Sequence, residues 1–182
     1  MGDDSDDPQP GFHHWESFKG QGVYTGVTLN INGEHTSYED TVYTSDLLTE
    51  HAVEWMEQIE SDQPFFVYLS HKAVHSEFKQ AARHAGMYAG VDYELPATYS
   101  QTQDGSYKEL LWPEWVKEQR HSWHGVDYMY HAKGAVADLV IDYCETLMGV
   151  DESIGTVMAY LEARGIADET VVIYMGDNGF SW

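Results

Sequence analysis

Two short clusters carry the side chains best suited to chemistry in this 182-residue sequence. Ser70-His71-Lys72-Ala73-Val74-His75 places two imidazoles and an ammonium close together, and Asp177-Asn178-Gly179 sets a carboxylate beside an amide. Lys72 and His75 can present N–H donors to the oxygens of a sulfate or phosphate; the plainer reading is two ordinary loop residues. Asp177 and Asn178 offer oxygen ligands, which suit a hard cation such as Ca²⁺ or Mg²⁺ better than zinc. The plainer reading there is a turn after a strand. His71 reads as structural. The 10 histidines raise a zinc hypothesis, but there is no His-Glu-x-x-His and no cysteine pair, and His13-His14, His121 and His124 form no ligand frame. Cys144 falls on the apolar side of a long helical stretch, where a thiol acts as a small hydrophobe. No Gly-x-Ser-x-Gly, P-loop or dinucleotide fingerprint occurs.

The elements that must position these clusters follow from pattern. Residues 1–22 read as irregular, and the acidic run Gly2 to Pro8 reads as a solvated loop. Val23–Leu29 and Thr36–Thr44 flank Asn30-Ile31-Asn32-Gly33, a hairpin signal because Asn-Gly tolerates positive φ. Thr44 or Ser45 then caps a helix with Leu48, Ala52, Trp55, Met56 and Ile59 on one face, stopped at Asp62-Gln63-Pro64. Phe65–Leu69 is a continuous apolar run, the pattern of a strand covered on both faces. Residues 73–133 form a long excursion with short helices. Ala135 to Arg164 holds the longest helical stripe, through Val136, Leu139, Val140, Tyr143, Leu147, Val150, Ile154, Val157, Met158 and Leu161, with Gly165 at its C-cap. Val171–Tyr174 reads as a second buried strand. Strand, excursion, long helix, strand is a βαβ plan, so the expected class is α/β with a mostly parallel sheet flanked by helices. Both clusters then lie at strand carboxyl ends, where ligands gather in such sheets.

Composition bounds the rest. Hydrophobic residues make up 42% and aromatics 14%, too many for wholesale disorder, and the length suits one domain. No apolar stretch reaches the roughly 18 residues that a membrane helix needs. With 9 Lys and Arg against 31 Asp and Glu, the formal charge is −22, which repels phosphate backbones and argues against nucleic-acid binding. The single cysteine excludes an internal disulfide framework.

Taken together, the motifs resemble the type I sulfatases of the alkaline-phosphatase superfamily, in particular the heparan- and N-acetylglucosamine-6-sulfatase-like branch. The matching pieces are Pro10-Gly11-Phe12, Trp15-Glu16-Ser17-Phe18, Gly20-Gln21-Gly22, Leu29 to Gly33, Thr44 to Thr49, Pro64 to His75, Val150 to Gly155 and Thr170 to Phe180, in family order along nearly the whole chain. The resemblance implies part of a sulfatase/alkaline-phosphatase-like sandwich that hydrolyses a sulfate ester on a sulfated carbohydrate. It further implies a formylglycine nucleophile and a Ca²⁺ ion. By the same resemblance Asp177 and Asn178 match metal ligands, His75 matches a sulfate-contacting histidine, and Lys72 lies in the same motif.

The sequence departs from that pattern at three places. It has no Cys-x-Pro-Ser-Arg, no N-terminal Asp-Asp metal pair, and no lysine after Asp177-Asn178; Cys144 is followed by Glu-Thr-Leu and cannot be the modified cysteine. The expectation is therefore that residues 1–182 are the central part of a sulfatase catalytic domain, inactive alone, with the nucleophile region and the C-terminal part lying outside them. Family members are mostly exported or lysosomal, so a periplasmic, extracellular or lysosomal location is expected. Two alternatives stand beside this reading: a phosphodiesterase- or phosphatase-type hydrolase of the same superfamily, and a non-catalytic acidic binding protein. The Asp-Asn pair, rather than Asp-His, favours one hard metal.

Overall fold

The computed structural model describes residues 5–60, 62–94, 111–119, 121–122 and 136–179. Near its N-terminus Asn32 and Gly33 both take positive φ, 53° and 102°, and close a tight hairpin between β2 (Thr28–Ile31) and β3 (Glu34–Ser37). The Asn30 side chain accepts a hydrogen bond from the Gly33 N–H at 2.7 Å and locks the turn. The turn thus occupies two residues rather than four, and Asn30 and Ile31 belong to β2, paired with His35 and Glu34. A further short strand, β1 (Glu16–Ser17), pairs antiparallel with β2. It lies in the stretch expected to be irregular, and two residues carry no readable alternation.

Helix α1 (Thr44–Glu57) follows, and Tyr43 rather than Thr44 or Ser45 occupies its N-cap, without a side-chain cap. The Thr44 hydroxyl is drawn away to the Val23 carbonyl, 2.7 Å distant. Leu47 and Leu48 pack with Val27 and Leu29 into a buried cluster, against which Phe18, Ile31, Val42 and Leu69 lean. Short helix α2 spans Glu114–Gln119. Long helix α3, Val136–Ala163, packs along α1. It ends as expected at Gly165, φ 72°. There the Ile166 N–H reaches the Leu161 carbonyl and the Gly165 N–H the Glu162 carbonyl, the paired bonds of a Schellman stop. Arg164 then donates to the Met56 carbonyl at 2.6 Å and to the Ile59 carbonyl. One guanidinium so caps the end of α1 and ties it to α3.

The two runs expected as buried strands are extended, but neither joins a ladder among the described residues. In Phe65–Leu69 burial alternates: Phe65, Val67 and Leu69 are half-buried while Phe66 and Tyr68 are exposed. Val171 to Met175 is exposed throughout, Val171 at 86%. An apolar run states that a segment prefers cover on both faces, but a ladder exists only where a partner strand is present. The sheet observed is the antiparallel β1-β2-β3, and the class remains α/β. Among the described residues no helix is long and apolar enough to cross a membrane.

One half-buried cluster fastens β1 to α1. Glu16 sits between His14 and His51, 2.8 Å from each. Burial pushes the Glu16 carboxyl up, but hydrogen bonds from the two imidazoles more than offset it and hold it below its ordinary value. The Glu16 hydrogen bond raises His51, opposed by burial and aided by Glu54 and Glu50. Stability from a raised histidine is complete below its unfolded value of 6.5 and disappears as pH rises through the folded one. Stability from the depressed Glu16 is complete above 4.5 and disappears as pH falls. The stability lost in His51→Gln should therefore be largest between those two values, about 1 kcal/mol, and should shrink towards pH 8 or 9. Urea melts of both proteins across pH measure it; a constant difference would show the ion pair to be irrelevant.

Candidate functional site

Segment 70–88, with the first cluster, is irregular except for a single 3-10 turn at Ala82–His84. Its order comes from side chains of the neighbouring elements. His71 lies inside, its Nε2 2.9 Å from the Ser153 hydroxyl on α3, and that hydroxyl is 2.7 Å from Thr49 on α1. Burial drives the His71 imidazole down to about 4, slightly opposed by Asp46, so the ring is neutral near pH 7. The structural reading of His71 holds. Further along, Gln80 and the Tyr88 N–H both donate to the buried Glu145 of α3. Arg83 forks onto both Asp46 oxygens at 2.7 and 2.8 Å and also reaches Glu152. That fork spans α1 and α3, though its exposure limits each pair to about 1 kcal/mol or less. Burial of the small polar residues Thr146, Gly149 and Ser153 on α3 was not visible in the apolar stripe; spacing alone shows only large apolar residues.

Lys72 and His75 come together. Lys72 is 9% exposed and His75 is exposed. The Lys72 Nζ lies 3.2 Å from His75 Nδ1 and donates to the Ser76 carbonyl at 3.3 Å. His75 Nδ1 lies 2.6 Å from the same carbonyl, so Nδ1–H donates there and Nε2 is left for a ligand. With Nδ1–H so engaged, Nε2 donates only when the ring carries both protons. Burial lowers the Lys72 ammonium from its ordinary value, and among the described residues no carboxylate pairs with it. A buried cation lacking a counter-charge is costly, and here it sits beside an exposed imidazole.

Asp177 and Asn178 are exposed, and the Asn178 N–H donates to the Asp177 carboxylate at 2.8 Å. That geometry is a tight turn with free oxygens. Their donor chemistry fits a hard cation, but two residues fall short of the 6–8 oxygens calcium takes. Among the described residues no cluster of three metal-ligating side chains forms, and none of the hydrogen bonds described joins Asp177 or Asn178 to Lys72 or His75. Cys144 is half-buried with its thiol pushed up by burial, which makes it unreactive. A concavity of about 550 Å³ lies between α1 and α3, lined by Asp46, Glu50, Glu54, Glu57 and Glu152 beside Arg83. Five carboxylates around one guanidinium leave that groove net negative, which disfavours an anion there.

These observations define a motif-bearing loop anchored to two packed helices, with Lys72 and His75 side by side at one corner of it. The sulfatase family profile matches residues 4–182, and the chain belongs to the sulfatase family. An N-acetylglucosamine-6-O-sulfatase of Bacteroides thetaiotaomicron is 25% identical over 96% of this chain and 40% of its own length. The N-acetylglucosamine-6-sulfatase of Capra hircus is 22% identical over 93% of the chain and 29% of its own. A multifunctional alkaline phosphatase superfamily protein of Trinickia caryophylli is 24% identical over 74% of the chain. A solved structure, described as a complex with its substrate D-glucosamine-2-N,6-O-disulfate, superposes with a TM-score of 0.61 at 24% identity. It is matched over 89% of this chain and 42% of its own. The chain thus spans two fifths or less of the length of these sulfatase relatives.

The buried Thr49–Ser153–His71 contact makes a specific demand. Ser153→Ala leaves the His71 Nε2 without its partner and should cost about 1–3 kcal/mol, whereas Cys144→Ala should cost less because the thiol only packs. Urea denaturation of the two variants compares them; equal losses would remove the special role given to the Ser153 hydroxyl.

Proposed function

We propose that this chain is the central part of a sulfatase catalytic domain that hydrolyses sulfate esters of sugars, with Lys72 and His75 facing the sulfate group. The observation that carries this reading is the buried Lys72 ammonium, unpaired with any carboxylate among the described residues, beside the exposed His75. The names of the relatives support a sulfated amino sugar as substrate. Lys72 supplies a fixed positive charge close to the oxygens of a sulfate, and the exposed His75 ring beside it turns Nε2 towards a sulfate or leaving-group oxygen. Preorganised donors of this kind act where charge develops, which is where they lower a barrier.

Asp177 and Asn178 would be two of the oxygen ligands of a Ca²⁺, whose charge would polarise the sulfate. The resembled enzymes attack with the hydrate of a formylglycine. No residue of this sequence lies in the motif that carries it, and none of the chain's own residues substitutes for it. The parallel sheet belongs to the same proposal: Phe65–Leu69 and Val171–Tyr174 would be strands of it, which accounts for their apolar character and extended backbone. Export from the cytoplasm follows from family resemblance.

Inorganic sulfate titrated into the chain by calorimetry tests the corner. Lys72→Met and His75→Ala should each weaken binding about tenfold or more, the worth of a hydrogen bond to a charged group. Phosphate titrated in parallel separates the sulfatase reading from a phosphatase-type one, which would favour phosphate. The purified chain should release no sulfate from aryl sulfates above background. Turnover that Cys144→Ala abolishes would overturn the assignment, as would sulfate affinity indifferent to Lys72.

A further inference from the structure

The 72–79 segment has neither helix nor ladder, yet it carries both groups of the anion corner. What it rests on is a pair of tyrosines from elsewhere in the chain. Tyr24 and Tyr43 stack with ring centroids 6.2 Å apart and an interplanar angle of 20°. Tyr24, before β2, is 6% exposed, and Tyr43, at the N-cap of α1, is 7% exposed. The Tyr24 hydroxyl donates to the backbone carbonyl of His75. Its ring face lies under Lys72, with Nζ 5.3 Å from the centroid. One side chain therefore touches both members of the pair, by a hydrogen bond to one and a cation–π contact to the other.

Tyr43 backs Tyr24 and holds the far end of the same segment. Its hydroxyl donates to the Lys79 carbonyl at 3.0 Å, and Ala81 and Ala73 pack against the two rings. Behind Tyr43 stands α3, and there the sequence places Gly149. A glycine within a helix is unfavourable relative to alanine, but a Cβ at this position would lie 3.1 Å from the Tyr43 ring. The missing side chain lets the ring seat directly on the helix. Both tyrosine hydroxyls also stay protonated: burial, then the Tyr43 neighbour, raises Tyr24, and burial, then Asp46, pushes Tyr43 up to about 12. Each is thus a permanent donor.

We infer that Tyr24 is the positioning residue of the anion site, its hydroxyl on the His75 carbonyl and its ring face under Lys72 together setting the distance between the two groups. The inference rests on the reading of Lys72 and His75 as sulfate-facing groups. Two hydroxyls of one stack differ in a single respect: that of Tyr24 holds the site, and that of Tyr43 holds the chain beyond it.

The full 182-residue chain is titrated with inorganic sulfate as wild type, Tyr24→Phe, Tyr24→Leu, Tyr43→Phe and Lys72→Met, with thermal melts of each. Tyr24→Phe should bind about fivefold more weakly, the worth of one net hydrogen bond. Tyr24→Leu, which also removes the ring face, should lose about a further threefold. Tyr43→Phe should lose comparable thermal stability and bind sulfate as the wild type does. In sulfate-free protein the His75 ring NMR signals should shift in Tyr24→Phe and stay in place in Tyr43→Phe. If both hydroxyl deletions weaken binding in proportion to their loss of stability, Tyr24 is merely structural and the inference falls. If Tyr24→Phe binds normally while Lys72→Met does not, the positioning role fails and the anion site stands. If Lys72→Met also binds normally, both fail.

Discussion

A loop without a ladder must satisfy its buried polar groups from outside itself, and that requirement organises this molecule. Segment 70–88 buries Lys72 and His84, half-buries His71, and has only one helical turn of its own. An unmet buried donor or acceptor costs about 1–3 kcal/mol, so each must be answered by a neighbour. The answers come from α1 and α3: Ser153 for His71, Glu145 for Gln80 and Tyr88, and Asp46 with Glu152 for Arg83. This explains why α3 turns small and polar side chains inward where a helix of its apolar content would be expected to bury only large ones. The helix is a support for the loop as much as a core element. Its own position is in turn fixed by Arg164 on the last carbonyls of α1.

His84 shows how far such a scheme can be imperfect. It is 2% exposed and stands 2.9 Å from Glu152, yet neither ring nitrogen is in hydrogen-bond alignment. The Glu152 carboxylate is already shared with Arg83. Hydrogen bonds from Arg83 hold its carboxyl below the ordinary glutamate value. The guanidinium fork takes the better geometry, and the imidazole is left with the charge alone.

What could be read from the sequence was what local chemistry decides. Asn32-Gly33 makes a turn because its two residues tolerate positive φ, whatever surrounds them. Gly165 stops α3 for the same reason, and the apolar stripe from Val136 to Leu161 needs only its own period. The closeness of Lys72 and His75 was readable because they are only three positions apart. The runs Phe65–Leu69 and Val171–Tyr174 were expected as buried strands; both are extended, but neither is buried or paired among the described residues, because strand pairing is non-local and composition names no partner. Tyr24 escaped notice altogether. It is one of 13 tyrosines, sits in no periodic element, and meets His75 across 51 positions, a separation that no spacing rule spans.

The acidity of the chain sharpens the meaning of the Lys72–His75 corner. A formal charge of −22 sets a repulsive field for any sulfate approaching from solution, yet beyond the Debye length of about 8 Å at physiological ionic strength that field is largely screened. Attraction at hydrogen-bond distance is not. A buried ammonium acts through a low dielectric, so its pull at about 3 Å outweighs many exposed carboxylates farther off. Such a site gains nothing from long-range steering and depends wholly on short-range geometry. It follows that the placing of Lys72 and His75 must be rigid, because a small displacement leaves the remote repulsion unchanged while the local attraction falls steeply. In a loop without a ladder, that rigidity can come only from side chains that grip it directly. The Arg83 fork that anchors the loop also offsets one of the two negative charges of Asp46 and Glu152.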